Sequence, residues 1–187
     1  MQSLAAMDAN FKIDTNIDKS DIRFYSALQE PFSIHGLLYE NGKFRRMPEA
    51  VAQSVSPGMQ YFYCKTSGGR VRFKTSSQYI AIFAKMTNII KTSHFAMTGA
   101  AGFDLYVGEG PSSKFVNAFR PPFEMTDGYQ SIFEFSDCEM REITMNFPLY
   151  SDVCELYIGL QKDAIVEKPT TYTITKPVVF YGSSVTQ

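Results

Sequence analysis

The 187-residue chain balances 18 Lys+Arg against 19 Asp+Glu, for a net charge of −1, which excludes a nucleic-acid binder that works through a basic field. Its length suits one large domain or two very small ones, and a chain of this size buries roughly 70% of its unfolded surface, enough to fold without a staple. With 44% hydrophobic residues, sixteen Phe, eleven Tyr and no Trp, the composition is ordinary for a globular chain and leans toward β structure.

In chain order, the first nineteen residues are polar and without period, so residues 1–20 are expected to form an irregular arm. Ile22-Arg-Phe-Tyr25 starts a short strand, and Pro31–Gly36 follows as a turn-rich stretch. Asn41-Gly42 is a strong hairpin signal between Leu37–Glu40 and Lys43–Met47. Pro48–Val55 leads to a turn at Pro57-Gly58. A second hairpin is expected from Met59–Cys64, through the Thr66–Gly69 turn, to Arg70–Lys74. In its second arm Arg70, Arg72 and Lys74 alternate with Val71 and Phe73, so one face is polar and the other buried. Gly68-Gly69 is expected to supply positive φ.

Tyr79–Ala84 is a nearly continuous apolar run and reads as a central strand covered on both faces. Phe95–Thr98 and Phe103–Val107 read as strands around a Gly99–Gly102 turn, and Lys114–Phe119 follows a turn at Gly108–Ser112. Tyr129–Phe135, Met140–Phe147 and Val153–Leu160 complete the series. Short strands separated by Gly, Pro, Asn and Asp turns predict an all-β, jelly-roll-like antiparallel sandwich over residues 21–168, with no sustained helical spacing. Residues 169–187 break the pattern. A linker at Pro169–Tyr172 leads to the apolar run Pro177–Tyr181 and the small-residue turn Gly182–Gln187, as at the start of an α/β domain. One strand is not a domain, so the remainder of an α/β domain is expected beyond Gln187. Without its own sheet, Pro177–Tyr181 either pairs with the sandwich, pairs with another molecule, or stays disordered.

Cys64, Cys138 and Cys154 form neither an even set nor a CxxC pair, which argues against a disulfide framework and a zinc site. Cys64 and Cys154 read as small buried hydrophobes. Asp14, Asp18 and Asp21 fit no EF-hand spacing and read as a solvated arm, so no metal or other cofactor is expected. No stretch reaches transmembrane length, and no membrane partner is expected. The N-terminus lacks a basic region followed by a long apolar core, so a cytoplasmic location is expected unless a signal has been removed.

Several motifs occur in order: Phe44-Arg-Arg-Met-Pro48, Thr66-Ser-Gly-Gly-Arg-Val-Arg-Phe73, Gly102-Phe-Asp-Leu-Tyr-Val107, Ile143–Tyr150 and Leu156–Leu160. This series resembles the N-terminal domain named for its Gly-x-Asp-Leu-Tyr motif, which precedes the catalytic domain of SGNH/GDSL hydrolases. The tail Val178–Gln187 is similar to the first SGNH block, Gly-Asp-Ser-(Leu/Ile)-Thr. The resemblance implies Gly182 as the leading glycine, Ser183 where Asp is usual, and Ser184 as the nucleophile. It implies a β-sandwich accessory domain, a C-terminal SGNH domain as its partner, and hydrolysis of acyl esters on carbohydrates, acetyl esters foremost. The later blocks that supply the oxyanion Gly and Asn and the Asp-x-x-His pair are not matched here. His35 and His94 fit neither, so this chain alone is expected to be inactive. The alternative is a stand-alone carbohydrate-binding or structural sandwich.

Asp104 either faces a ligand or the catalytic cleft, or pairs across strands with Arg70 or Arg72, the latter being the common arrangement in sheets. Tyr106, Tyr150 and Tyr157 either form a sugar-stacking platform or pack in the core or between domains. His94 is either a ligand contact or a structural strand-end residue.

Overall fold

The computed structural model describes residues 13–180 and 182. Where apolar and polar residues alternate, the chain is extended: β1 (Ile22–Ser26), β2 (Ser33–His35), β3 (Leu38–Glu40), β4 (Lys43–Arg45), β5 (Arg70–Thr75), β6 (Tyr79–Thr87), β7 (Phe103–Val107), β8 (Lys114–Phe119), β9 (Gly128–Glu134), β10 (Arg141–Asn146), β11 (Asp152–Gln161) and β12 (Val166–Glu167). One sheet runs β1-β11-β6-β9. The other runs β12-β5-β10-β7-β8, with β2 also pairing β5, and β3 and β4 form a separate hairpin. Every one of these pairings is antiparallel. From β5 onward the chain changes sheet at every step except β7 to β8, so most sequence neighbours lie in opposite sheets across the core. The expected antiparallel β-sandwich is the observed fold.

Register builds the core from rows of apolar side chains. Ile80, Ile82 and Ala84 of β6 stand opposite Leu160, Ile158 and Leu156 of β11. On the facing sheet Val71 of β5, Met145 of β10 and Leu105 of β7 form one row, and Phe73, Ile143 and Val107 the next. All but Val107 of these residues are buried, and removing such side chains from water stabilises the fold by roughly 1.5–3 kcal/mol each. Tyr79–Ala84 is buried apart from half-buried Phe83, as expected of a central strand. Asn41 (φ 49°) and Gly42 (φ 74°) make the hairpin turn read from their dipeptide.

Three segments read otherwise are helical: α1 (Glu49–Val55), α2 (Pro57–Phe62) and α3 (Met97–Ala101). The expected strand at Met59–Cys64 is therefore corrected, since its first four residues belong to α2. A short apolar run does not distinguish strand from helix by period. Here Ser56 decides: its Oγ accepts from the Met59 N–H at 3.2 Å, and Pro57 occupies the first helical position. The expected Gly99–Gly102 turn is mostly α3. Arg70–Lys74 consequently has no local hairpin partner and instead pairs with β10, β2 and β12. Of the glycine pair, Gly68 has positive φ (82°) and Gly69 is buried, its missing side chain leaving room for Leu37. Cys64 is buried as expected, whereas Cys154 is half-buried.

The expected arm, residues 1–20, lies partly outside the described residues; residues 13–19 carry no helix or strand. At the other end, residues 177–180 form no strand, and Val178, Val179 and Phe180 are exposed. No strand among the described residues pairs with them, and without a neighbour the backbone groups of an extended segment are left to water.

Candidate functional site on the outer face of the six-stranded sheet

Period two sends alternate residues of β5, β10 and β7 away from the core. With Phe103 and Leu105 fully buried, Asp104 and Tyr106 face outward. Register places Arg70, Asn146 and Asp104 side by side in one outward row, and Arg72, Thr144 and Tyr106 in the next. From β2, His35 lies beside Arg70 and Ser33 beside Arg72. Phe115 of β8 extends the second row, its ring 5.6 Å from that of Tyr106.

The two arginines have different fates. Arg72 is buried and pairs with Glu142 at 2.8 Å. Glu142 also receives Lys74 at 3.6 Å and the backbone N–H and Oγ1 of Thr170 at 3.1 Å each. The Arg72 guanidinium lies 4.1 Å from the centroid of the Tyr172 ring, whose edge meets the His35 ring at 5.0 Å. Residues 170–172 are thus strapped across this face of the sheet.

Arg70 and Asp104 make no ion pair or hydrogen bond among the described residues, although they flank the same asparagine. The expected pairing of Asp104 with Arg70 or Arg72 is therefore corrected. Glu142, opposite Lys74 on the neighbouring strand, captures Arg72 diagonally across the β5–β10 ladder, whereas Asp104 is one strand further away. Partial burial without a cation pushes the Asp104 carboxyl above its usual range. His35 is pushed below its ordinary value by burial first, then by Arg72 and Arg70, so the imidazole is held neutral, and its Nε2 is buried without a partner among the described residues.

Two adjoining hollows open on this face. One of about 240 Å³ is lined by Arg70, Arg72, Tyr106, Thr144, Asn146 and Tyr172. The other, of about 270 Å³, is lined by Arg70, Asp104, Asn146, Gly68, Gly69 and Gly102 among others. Arg70 and Asn146 border both, so the two hollows adjoin at this pair and make a grooved surface on either side of it. At Gly102 a Cβ would stand 2.3 Å from the carbonyl oxygen of Thr98, which is why the strand carrying Asp104 and Tyr106 must begin with glycine where α3 ends.

The sequence candidates are not all assembled here. Arg70, Arg72, Asp104 and Tyr106 share the groove. Tyr157 belongs to β11 in the other sheet and donates to Glu155 at 2.9 Å. The Tyr150 ring packs against Phe95 at 4.9 Å. Of the two readings for Tyr106, Tyr150 and Tyr157, the shared aromatic platform is not formed; Tyr172 is the aromatic neighbour that the groove acquires. His94 is exposed, and Asp21 accepts from the Tyr79 hydroxyl at 2.9 Å. Gly182 is exposed; Ser183 and Ser184 lie outside the described residues.

Asn146, Thr144, Glu142 and Tyr172 went unnoticed in the sequence because long-range register brings them in. A buried cluster elsewhere was also invisible. Lys65 Nζ meets Asp152 Oδ1 at 2.8 Å, and Asp152 Oδ2 receives Asn88 Nδ2 at 2.7 Å and Lys43 at 3.5 Å. Lys65 and Asp152 are each 2% exposed.

The family model described as "GxDLY: N-terminus of Esterase_SGNH_hydro-type" matches residues 22–166. A search of the curated proteins finds no match. Among solved structures, one described as a GDSL-like lipase from Bacteroides ovatus ATCC 8483 superposes with a TM-score of 0.69 at 19% identity, covering 80% of this chain and 43% of that one. The salicylyl-acyltransferase SsfX3 from a tetracycline biosynthetic pathway superposes with a TM-score of 0.61 at 18% identity, covering 82% and 43%. The chain thus spans less than half the length of either protein, and at these identities the likeness is one of fold. With the family model covering most of its length, and with Gly102, Asp104, Leu105 and Tyr106 in the motif that names the family, the chain belongs to the GxDLY family of N-terminal domains of SGNH-type esterases.

Proposed function

We propose that this sandwich serves a two-domain SGNH-type esterase whose catalytic α/β domain follows it in the same polypeptide, and that the enzyme hydrolyses acyl esters of carbohydrates, acetyl esters foremost. The observation that carries this reading is the strap. Residues 170–172 are held against the outer face of the six-stranded sheet, and the segment resembling the first SGNH block begins only six residues later, at Val178. Six extended residues reach at most ~22 Å, so a domain starting there lies close to the groove.

In this reading Ser184 attacks the acyl carbon as its proton passes to a base. The carbonyl oxygen becomes an oxyanion held by N–H donors, the sugar alcohol leaves with a proton, and water releases the acid. Gly182 stands for the leading glycine of the block, and Ser183 holds the position where Asp is usual. The base and most of the oxyanion donors would come from later blocks of the catalytic domain, so this chain alone is expected to be inactive. The test is hydrolysis of p-nitrophenyl acetate and acetylated xylan by the full-length polypeptide and by its Ser184→Ala variant. Turnover abolished with circular dichroism unchanged supports the reading; retained activity rejects Ser184 as nucleophile, and inactivity of the unaltered polypeptide rejects the esterase.

A further inference from the structure

The Gly102–Tyr106 segment has two kinds of residue. Gly102, Phe103 and Leu105 are accounted for by the sandwich, the first by the close approach of Thr98 and the others by complete burial. Asp104 and Tyr106 contribute nothing to that core. A half-buried carboxylate without a partner lowers the stability of the domain that holds it, and Arg70, on the other side of Asn146, is likewise unpaired among the described residues. Residues that the fold does not require, gathered in one groove, point to an occupant.

We infer that the groove bounded by Arg70, Asn146, Asp104, Tyr106 and Tyr172 binds a neutral, polyhydroxylated ligand of sugar type. Three observations select that chemistry. First, adjacent strands lie roughly 4.8 Å apart, so Arg70 and Asp104 are about 10 Å apart at the backbone with Asn146 between them. A single hydroxylated ring over Asn146 is within reach of both. The carboxylate accepts from neighbouring hydroxyls, the guanidinium donates to hydroxyl or ring oxygens, and the amide does both. Second, the charges balance. Arg72 is neutralised by Glu142 and His35 is neutral, leaving one cation and one anion facing the groove. Such a site favours neither an anion nor a cation. Third, Tyr106 and Tyr172 line the same hollow as Arg70 and Asn146, which sets aromatic surface of the kind that packs on the C–H groups of a sugar beside the polar groups. The adjoining hollows, of about 240 and 270 Å³, each approach the lower end of small-molecule sites, roughly 300 Å³.

Identifying this ligand with the sugar portion of the enzyme's ester substrate rests on the esterase reading above; the binding itself does not. The present chain, labelled with ¹⁵N, is titrated with methyl β-glucoside, xylobiose and glucuronate, with a Kd on the order of 1 mM expected for a neutral sugar. Amide shifts confined to residues 68–72, 104–106 and 144–146 are expected, with Asp104→Ala and Arg70→Ala each weakening binding at least tenfold. Both side chains face away from the core, so both variants should keep the parent spectrum elsewhere. Lys85→Ala, on the other sheet, should bind as the parent does, and glucuronate should bind no tighter than the neutral sugars. Silence of these amides toward both neutral sugars, or tighter binding of glucuronate, overturns the inference. So do shifts here caused by the following domain but by no sugar, which would make the groove a docking seat. Failure of the Ser184 test would leave this titration unaffected, so the two readings fail separately.

Discussion

Replacing Asp152 by Ala removes the only carboxylate that meets Lys65 among the described residues. The Lys65 ammonium would keep the Asn88 carbonyl at 3.5 Å and the Tyr61 ring at 5.4 Å, both weak compensation for a lost 2.8 Å ion pair. Water does not easily replace the carboxylate, because Lys65 is 2% exposed. The neighbouring chain is tied down as well: Thr66 Oγ1 donates to the Pro148 carbonyl at 2.8 Å, and Ser67 Oγ to that of Leu149 at 3.4 Å. Breaking one side of a buried pair costs about 3–5 kcal/mol, a large share of the 5–15 kcal/mol of an ordinary domain. For a domain of this size that is a drop of roughly 6–20 °C in Tm. Urea unfolding followed by circular dichroism should show a lower midpoint at unchanged slope. Lys65→Met combined with Asp152→Leu removes both charges and should recover at least half of the loss, since apolar replacement of a buried pair is often nearly neutral. A loss below about 1 kcal/mol for Asp152→Ala, or a double variant no better than the single one, would refute the claim that desolvation governs this cluster.

Three further outcomes are expected. Gly102→Ala should lower the urea midpoint by the equivalent of about 1–3 kcal/mol, because the new methyl meets backbone rather than a yielding side chain; an unchanged midpoint refutes this. Glu142→Ala strands the buried Arg72 and frees Thr170, so chymotrypsin should cleave after Tyr172 at least tenfold faster, and equal rates would show that Glu142 does not hold the strap. The folded-state pKa of His35 lies below the ordinary 6.5, through burial first and then Arg72 and Arg70. The unfolded chain therefore takes up the proton first as pH falls, and the contribution of this residue is full above pH 6.5 and lost as pH drops through the folded value. Stability measured between pH 7 and 5.5 should fall less in His35→Phe than in the parent, and equal slopes would refute the assignment.

Local pattern showed much of this molecule. Alternation in Arg70–Lys74 and in Phe103–Val107 tells which side chains face the core, and Asn41-Gly42 marks its own turn, because each depends on a few consecutive residues. The candidate site was half legible for the same reason: Arg70 and Arg72 could be assigned to a polar strand face before any pairing was known, and Asp104 and Tyr106 were marked by their motif. The helix at Pro57–Phe62 was misread although its Ser-Pro start stands in the sequence, since the apolar run Met59–Cys64 satisfies a strand equally well.

Alternation determines a face but not a neighbour. That Arg72 meets Glu142 seventy residues away, that Asn146 separates Arg70 from Asp104, and that Tyr172 folds back over both Arg72 and His35 are consequences of strand order and register. The same is true of Lys65 and Asp152, 87 residues apart, whose charges look like surface residues in the chain and are buried in the fold. Sequence by itself determined the β class, the family and the polar face of Arg70–Lys74, because these are written in short-range order. Tertiary structure alone decided which charges are paired, which are left facing the groove and how far each is desolvated, because those energies depend on atoms brought together from distant parts of the chain.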